Sequence, residues 1–350
     1  MPLPPLYGHE GIRHRLVGAI ASGRLPQSLL FEGPPGVGKQ RLALWLAQAL
    51  VCLGGEATAE GCGECQHCRL VLTLSHPDVH WFVPLELAKR GADADRQVEL
   101  TAEALAEEMA ARRERPLYEP PTGLAIHGIA AVRLLLRRLA LKPALGRRKV
   151  FVIGDAERLV PQAGTDAAAN ALLKALEEPP ADSVFVLTAA APESLLPTIL
   201  SRVVRVRVAR LADSIVTAFA QNELAVSGQR NTAQRVATAD GCPGRLLADS
   251  EPSGEAGSVA GRFMAAVAGG PVRYYAAALA QQPFQARGGF TAMLDGLLER
   301  LREQARSGGE THYVVAAISR VLEARSVAQG NVNPQLVTAV LAGDLAGGPE

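Results

Sequence analysis

Residues 31–40, FEGPPGVGKQ, carry the spacing of a phosphate-binding loop: Gly33 and Gly38 bracket four residues, and Lys39 follows. Such a loop needs a strand before it and a helix after it. QSLLFEG, residues 27–33, is a short apolar run that reads as a buried strand. KQRLALWLAQALVC, residues 39–52, has helical spacing that puts Leu42, Trp45, Leu46 and Leu50 on one side. Gly33, Gly36 and Gly38 let the chain curl until successive N–H groups point inward, the helix adds its positive end, and Lys39 supplies a cation for the outer phosphates. The next position breaks the pattern. A Ser or Thr hydroxyl there would hold magnesium, a hard ion that demands compact oxygen ligands, whereas this chain has the longer neutral amide of Gln40.

Further apolar runs extend the sheet around this loop. RRKVFVIGDAERL (147–159) and SVFVLTAA (183–190) read as buried strands, and VVRVRV (203–208) alternates as a strand with one wet face does. IHGIAAVRLLLRRLALKP (126–143) reads as a helix closed by Pro143, and AANALLKALEEPP (168–180) as one stopped by a proline pair. Strands alternating with helices predict a mostly parallel α/β sheet. A nucleotide-cleaving enzyme of this kind ends its second strand with an acidic pair that holds the metal and activates water. Here Gly154 falls where the metal-holding Asp should stand, and Asp155 where the Glu should be; a shifted register would make Asp155 and Glu157 the acids. The expectation is a loop that leaves nucleotide binding open but performs no independent hydrolysis.

Four of the five cysteines, Cys52, Cys62, Cys65 and Cys68, crowd into CLGGEATAEGCGECQHC. In a reducing compartment that clustering reads as a closed structural zinc site, with His67 and His76 as nearby competitors that a complete cysteine set makes unnecessary. Cys242 stands apart and reads as a small buried hydrophobe.

The 350 residues suffice for two or three domains, and a net charge of +1 gives no global field for nucleic acid. No apolar run is long enough for a membrane span and the start lacks signal-peptide blocks, so the chain reads as cytoplasmic. Residues 86–121 read as a charged, exposed insertion with one helix. Arg133 and Arg137, with Arg138 and Lys142 alongside, form a basic stripe whose default reading is a solvated face and whose alternative is phosphate contact, with Arg147 and Arg148 as further candidates. Beyond Leu211 only helical patterns remain, broken by glycine-rich joints. This predicts an α/β domain at 1–210 with a zinc module at about 52–80, a small helical domain at 211–249 and a final helical domain at 257–350. No nucleophile elbow, HExxH or nucleotidyl-transfer carboxylate pair is present.

FEGPPGVGK, the four-cysteine insert, LALKPALGRRKVFVI, AANALLKALEEPP and LLPTILSR occur in the order found in bacterial clamp-loader subunits of DNA polymerase III, which the chain resembles over its first 210 residues; NVNPQLVTAVLAGDL near the end is similar too. The delta-prime type is the nearer likeness and the gamma/tau motor type the next. The resemblance implies an AAA+ P-loop module with a helical lid and a helical collar, set in a heteropentamer with gamma/tau and delta subunits that places the sliding clamp on primed DNA. It also implies that Arg202, preceded by Ser201, projects as a trans-acting arginine finger toward a neighbour's ATP, where a guanidinium can fork onto phosphate oxygens. A surface arginine in a local salt bridge is the alternative. Gln40, Gly154, Val203 in place of the motif's cysteine, and Ala190 in place of the motor's polar sensor depart from the motor pattern. Those departures fit the delta-prime type, whose own site is degenerate.

Overall fold

A computed structural model describes residues 2–54, 60–85, 93–117, 125–159, 167–224, 229–247, 254–281, 289–306, 311–328 and 332–347. Five parallel strands, β1 (Ser28–Glu32), β2 (Val79–Phe82), β3 (Lys149–Ile153), β4 (Ser183–Ala189) and β5 (Val204–Arg207), form one sheet in the order β2-β3-β4-β1-β5. Every residue of β3 and β4 is buried, as central strands covered on both faces require. The edges differ from the sequence expectation. β2, VHWF, is too short to announce itself, and β5 is wetter than an alternating strand predicts: Val204 is 50% exposed, Val206 is only partly buried against the core, and Arg205 reaches back to Glu32 at 2.7 Å.

Around the sheet run α1 (Glu10–Ala21), α2 (Lys39–Val51), α3 (Gln66–Leu72), α4 (Ala94–Glu114), α5 (Ile129–Leu139), α6 (Ala167–Glu177) and α7 (Pro197–Leu200). The loop helix α2 is buried on nearly all sides, not along one stripe, because the sheet and its flanking layers enclose it. The insertion is not a fully solvated excursion either. Its helix α4, capped by Asp93 accepting the Arg96 N–H, buries Val98, Leu105 and Arg112, spaced by two helical turns so that one face lies inward. The ends of the expected insertion, 86–92 and 118–121, lie outside the described residues.

Next come α8 (Asp213–Glu223), α9 (Gln229–Ala239) and a short 3-10 turn, Pro243–Leu246, packed around Val216, Phe219, Val236 and Leu246. The chain separates into two compact units, Met1–Leu247 and Ala248–Glu350. The expected boundary near Asp249 lies outside the described residues. The second unit holds α10 (Gly254–Ala268), α11 (Pro271–Leu279), α12 (Gly289–Arg306), α13 (Thr311–Ala328) and α14 (Pro334–Ala346), built on a core that includes Phe290, Leu294, Leu297, Val314, Val321 and Leu341. No described helix is long and apolar enough to cross a membrane. The parallel α/β module, the four-cysteine insert and the helical remainder together give the fold class expected.

Two buried charges pin the connection from α5 to β3. Lys149 Nζ donates to the carbonyls of Leu139, at 2.6 Å, and Leu141, closing the open C-terminal end of α5. Asp78 accepts N–H groups of Ala144, Leu145 and Gly146 at 2.5–2.8 Å. Burial would push the Asp78 carboxyl up, but these three donors outweigh it and hold the group below its ordinary value. Asp78→Ala is therefore expected to cost about 1–3 kcal/mol in urea denaturation at neutral pH, since a buried carboxylate that gathers three backbone N–H groups of the connection is lost. Because the folded-state value is depressed, this contribution is present above about pH 4 and is lost as pH falls through the folded value, so the variant and the parent converge in acid.

Candidate functional site

The glycine loop closes on itself. Lys39, only 6% exposed, donates from Nζ to the carbonyls of Gly33 at 2.8 Å and Pro34 at 2.9 Å. Burial holds its ammonium below the ordinary lysine range, with Glu157 and Asp155 opposing that shift. Gly36 (φ 78°) and Gly38 (φ 100°) take left-handed conformations that favour glycine. Gly36 also accepts the Gly244 N–H at 2.8 Å, and a Cβ on Gly244 would stand 2.7 Å from Gly36 Cα. His9 adds a contact through Nε2 to the Val37 carbonyl at 2.9 Å. The 3-10 turn that follows α9 thus lies backbone against backbone on the loop, beside buried Cys242.

The two departures from the metal-binding pattern face each other. Gln40 is buried, and its Oε1 accepts the indole N–H of Trp81 at 3.0 Å. A Cβ built on Gly154 would lie 2.6 Å from that same Oε1. Gly154 is further held by its N–H to the Phe82 carbonyl at 2.8 Å and by its carbonyl, which accepts His127 Nε2 at 2.6 Å. Burial drives His127 down to about 4, so its ring is neutral and donates. Asp155 takes φ 50° and its N–H meets Thr188 Oγ1 at 3.1 Å, while Glu157 Oε1 accepts the Ala190 N–H at 2.9 Å. Burial raises the Glu157 carboxyl. A neutral amide already bonded to an indole, opposite a residue without a side chain, does not fit an octahedral magnesium.

Arg202 lies at the end of α7. Its guanidinium pairs with Glu177 at the end of α6 and donates to the Thr198 carbonyl at 2.7 Å, with its side chain 30% exposed. The basic stripe is not a free row: Arg137 pairs with Asp95 of α4, and Arg138 turns inward over the Phe82 ring at 5.6 Å.

The four cysteine sulfurs lie within 4.8 Å of one another, with Cys52–Cys62, Cys52–Cys65 and Cys62–Cys68 at 3.6, 3.9 and 3.9 Å. A tetrahedral ion with metal–sulfur bonds of about 2.3 Å sets sulfurs roughly 3.8 Å apart, so the cluster fits one. Backbone N–H groups of Cys62, Cys65 and Cys68 point at the sulfurs of Cys52, Cys62 and Cys65, favouring thiolates. Burial would raise Cys65, yet backbone N–H groups, Cys68 first, bring it to about 6; burial pushes Cys68 up to about 12. His67 and His76 stand outside the cluster, bonded to each other at 3.1 Å.

Trp81, His127, Glu177 and Gly244 escaped the sequence reading. Glu177 falls within AANALLKALEEPP, but no spacing singles out any of the four; only their tertiary neighbours give them roles.

Residues 8–212 match the profile of the family described as DNA polymerase III, delta subunit. The chain is 35% identical over 188 residues to DNA polymerase III subunit delta' of Yersinia pestis and 33% identical over 187 residues to that of Bacillus subtilis, covering 54% and 53% of this chain and 43% of each relative. It is also 32% identical over 195 residues to DNA polymerase III subunit gamma/tau of Mycobacterium bovis, covering 56% of this chain and 26% of that one. These matches span less than half of each relative's length.

Gly244→Ala should separate the 3-10 turn from the glycine loop, because the new Cβ meets backbone that cannot rotate away. The expected loss is about 1–3 kcal/mol in urea denaturation, with faster amide exchange confined first to residues 244–247.

Proposed function

Because the chain belongs to the DNA polymerase III, delta subunit family, we propose that it works as a delta-prime type clamp-loader subunit: an assembly member that helps place a sliding clamp on primed DNA in the cytoplasm and turns over no nucleotide itself. The observation that carries this reading is the loop, where Lys39 gives its donors to Gly33 and Pro34 and Gln40 offers no hydroxyl. ATP binding by Gly33, Gly36, Gly38 and Lys39 then requires Lys39 to exchange those carbonyls for phosphate. A gamma/tau-type motor, the rival reading, needs a metal-holding pair that Gln40 and Gly154 do not supply.

In this reading the division is an α/β module over 1–210, a lid over 211–249 and a collar over 257–350. The collar joins gamma/tau and delta subunits in a heteropentamer. Support comes from five apolar side chains on α11 and α14, Val272, Tyr275, Leu279, Leu336 and Val340, each more than half exposed. Apolar side chains grouped on neighbouring helices favour burial against a partner.

Arg202 acts in trans on a neighbour's ATP. Its pair with Glu177 is partly exposed, and such pairs contribute only about 0–1 kcal/mol, so phosphate oxygens can displace the carboxylate with little loss. Arg202→Ala should leave assembly intact by size-exclusion chromatography and slow single-turnover ATP cleavage at the adjoining motor by roughly 10³-fold. An unchanged rate rejects the finger.

Cys52, Cys62, Cys65 and Cys68 hold zinc. The ion would supply structural cross-linking only, since four thiolates leave no open position. Metal analysis should find one zinc per chain; a strong chelator should remove it and lower the unfolding midpoint, and acid should weaken binding because protonated thiols do not ligate.

A further inference from the structure

We infer that Gln40 is an internal occupant of the space between the two metal-holding positions, fixed there by Trp81, and that the inserted helix α4 braces it through Arg112. This deepens the reading of the loop as non-hydrolysing and rests on it. Position 40 and position 154 are where the loop pattern calls for a hydroxyl and a carboxylate. In this fold the Gln40 amide reaches so far across that a Cβ on residue 154 would sit 2.6 Å from Oε1, 2.8 Å from Cδ and 3.0 Å from Nε2. No carbon tolerates the first of those approaches, so a glutamine in this rotamer admits only glycine opposite. Gly154 cannot step back, because its N–H and carbonyl are tied to Phe82 and His127.

The chain of dependence continues away from the loop. A buried indole N–H needs an acceptor, and Gln40 Oε1 supplies it from 41 residues away in sequence. Over the Trp81 ring lies the Arg112 guanidinium, 4.4 Å from the ring centroid, itself oriented by Glu108 at 2.8 Å. Arg112 is buried although it belongs to a helix whose outer faces are charged. Stacked cation, indole, amide and bare glycine therefore form one connected series from α4 to the end of β3. Independent decay of two unused positions would leave no reason for each new residue to fit the other. Through this interlock the insertion acquires a role in the α/β unit, because it keeps Trp81, and through it Gln40, where a metal would otherwise be held.

Thermal unfolding of the full chain, alone and without partners, tests the series by double-mutant cycles. Gly154→Asp should lower the midpoint by about 10 °C, and by less than half as much when Gln40→Thr is present. Arg112→Ala and Gln40→Thr should likewise show sub-additive losses, since both loosen Trp81. Additive shifts in the first cycle overturn the interlock, and additive shifts in the second overturn the brace. Should Gly154→Asp be insoluble alone but soluble with Gln40→Thr, the coupling is shown in its strongest form; if both fail, Gly154→Ala replaces it in the same cycle. The second arm measures a non-hydrolysable ATP analogue by calorimetry with magnesium and with EDTA. Absent binding, or equal affinity in the two conditions, is expected, and tightening by about tenfold or more with magnesium overturns the proposal. A failed cycle leaves the role of Arg202 standing, and an inert Arg202 leaves the cycle standing.

Discussion

A buried ammonium must find oxygen, and the position of Lys39 makes that requirement the organising constraint of the α/β unit. At 6% exposure it cannot rely on water, and the carbonyls of Gly33 and Pro34 are the acceptors it takes. Drawing those carbonyls inward tightens the loop until neighbouring backbone presses on it. A Cβ at Gly33 would stand 2.3 Å from the Val208 carbonyl, just past β5, while Gly36 meets Gly244. The strand edge and the small helical segment are consequently seated on the loop without side chains between them.

This closure bears on the proposed division of labour. A loop that satisfies its own lysine does not depend on phosphate to keep its shape, so the subunit can serve as a fixed part of an assembly. Arg202 belongs to a different element, the corner between α7 and β5, where Glu177 holds it partly exposed. The stability of the loop and the availability of the arginine are thereby uncoupled. Losing cleavage at one need not compromise the other.

The cysteine cluster is tied into the same core. Cys65 caps α3 by accepting the Cys68 N–H at 3.4 Å, and His67 on that helix meets His76. His76 Nδ1 accepts the Asp78 N–H at 3.0 Å, which leaves its Nε2 to donate to His67 Nδ1, and burial keeps His76 neutral. Asp78 in turn collects the three N–H groups before β3. The four-cysteine module, an edge strand and the LALKPALGRRKV connection are joined by consecutive polar contacts.

What the amino-acid sequence determined by itself was whatever depends on near neighbours: the glycine loop between strand and helix, the buried strands β1, β3 and β4, the cysteine spacing, and the two positions, Gln40 and Gly154, that lack metal-binding groups. Local periodicity and turn chemistry carry those features. Tertiary structure alone decided that β2 exists, that α4 buries Val98, Leu105 and Arg112, that Arg138 turns inward, and that Gln40 occupies the space Gly154 leaves open. Each of these joins residues far apart in the chain, so its energy comes from burial and from donors finding acceptors across the fold, and no short window of sequence contains both partners.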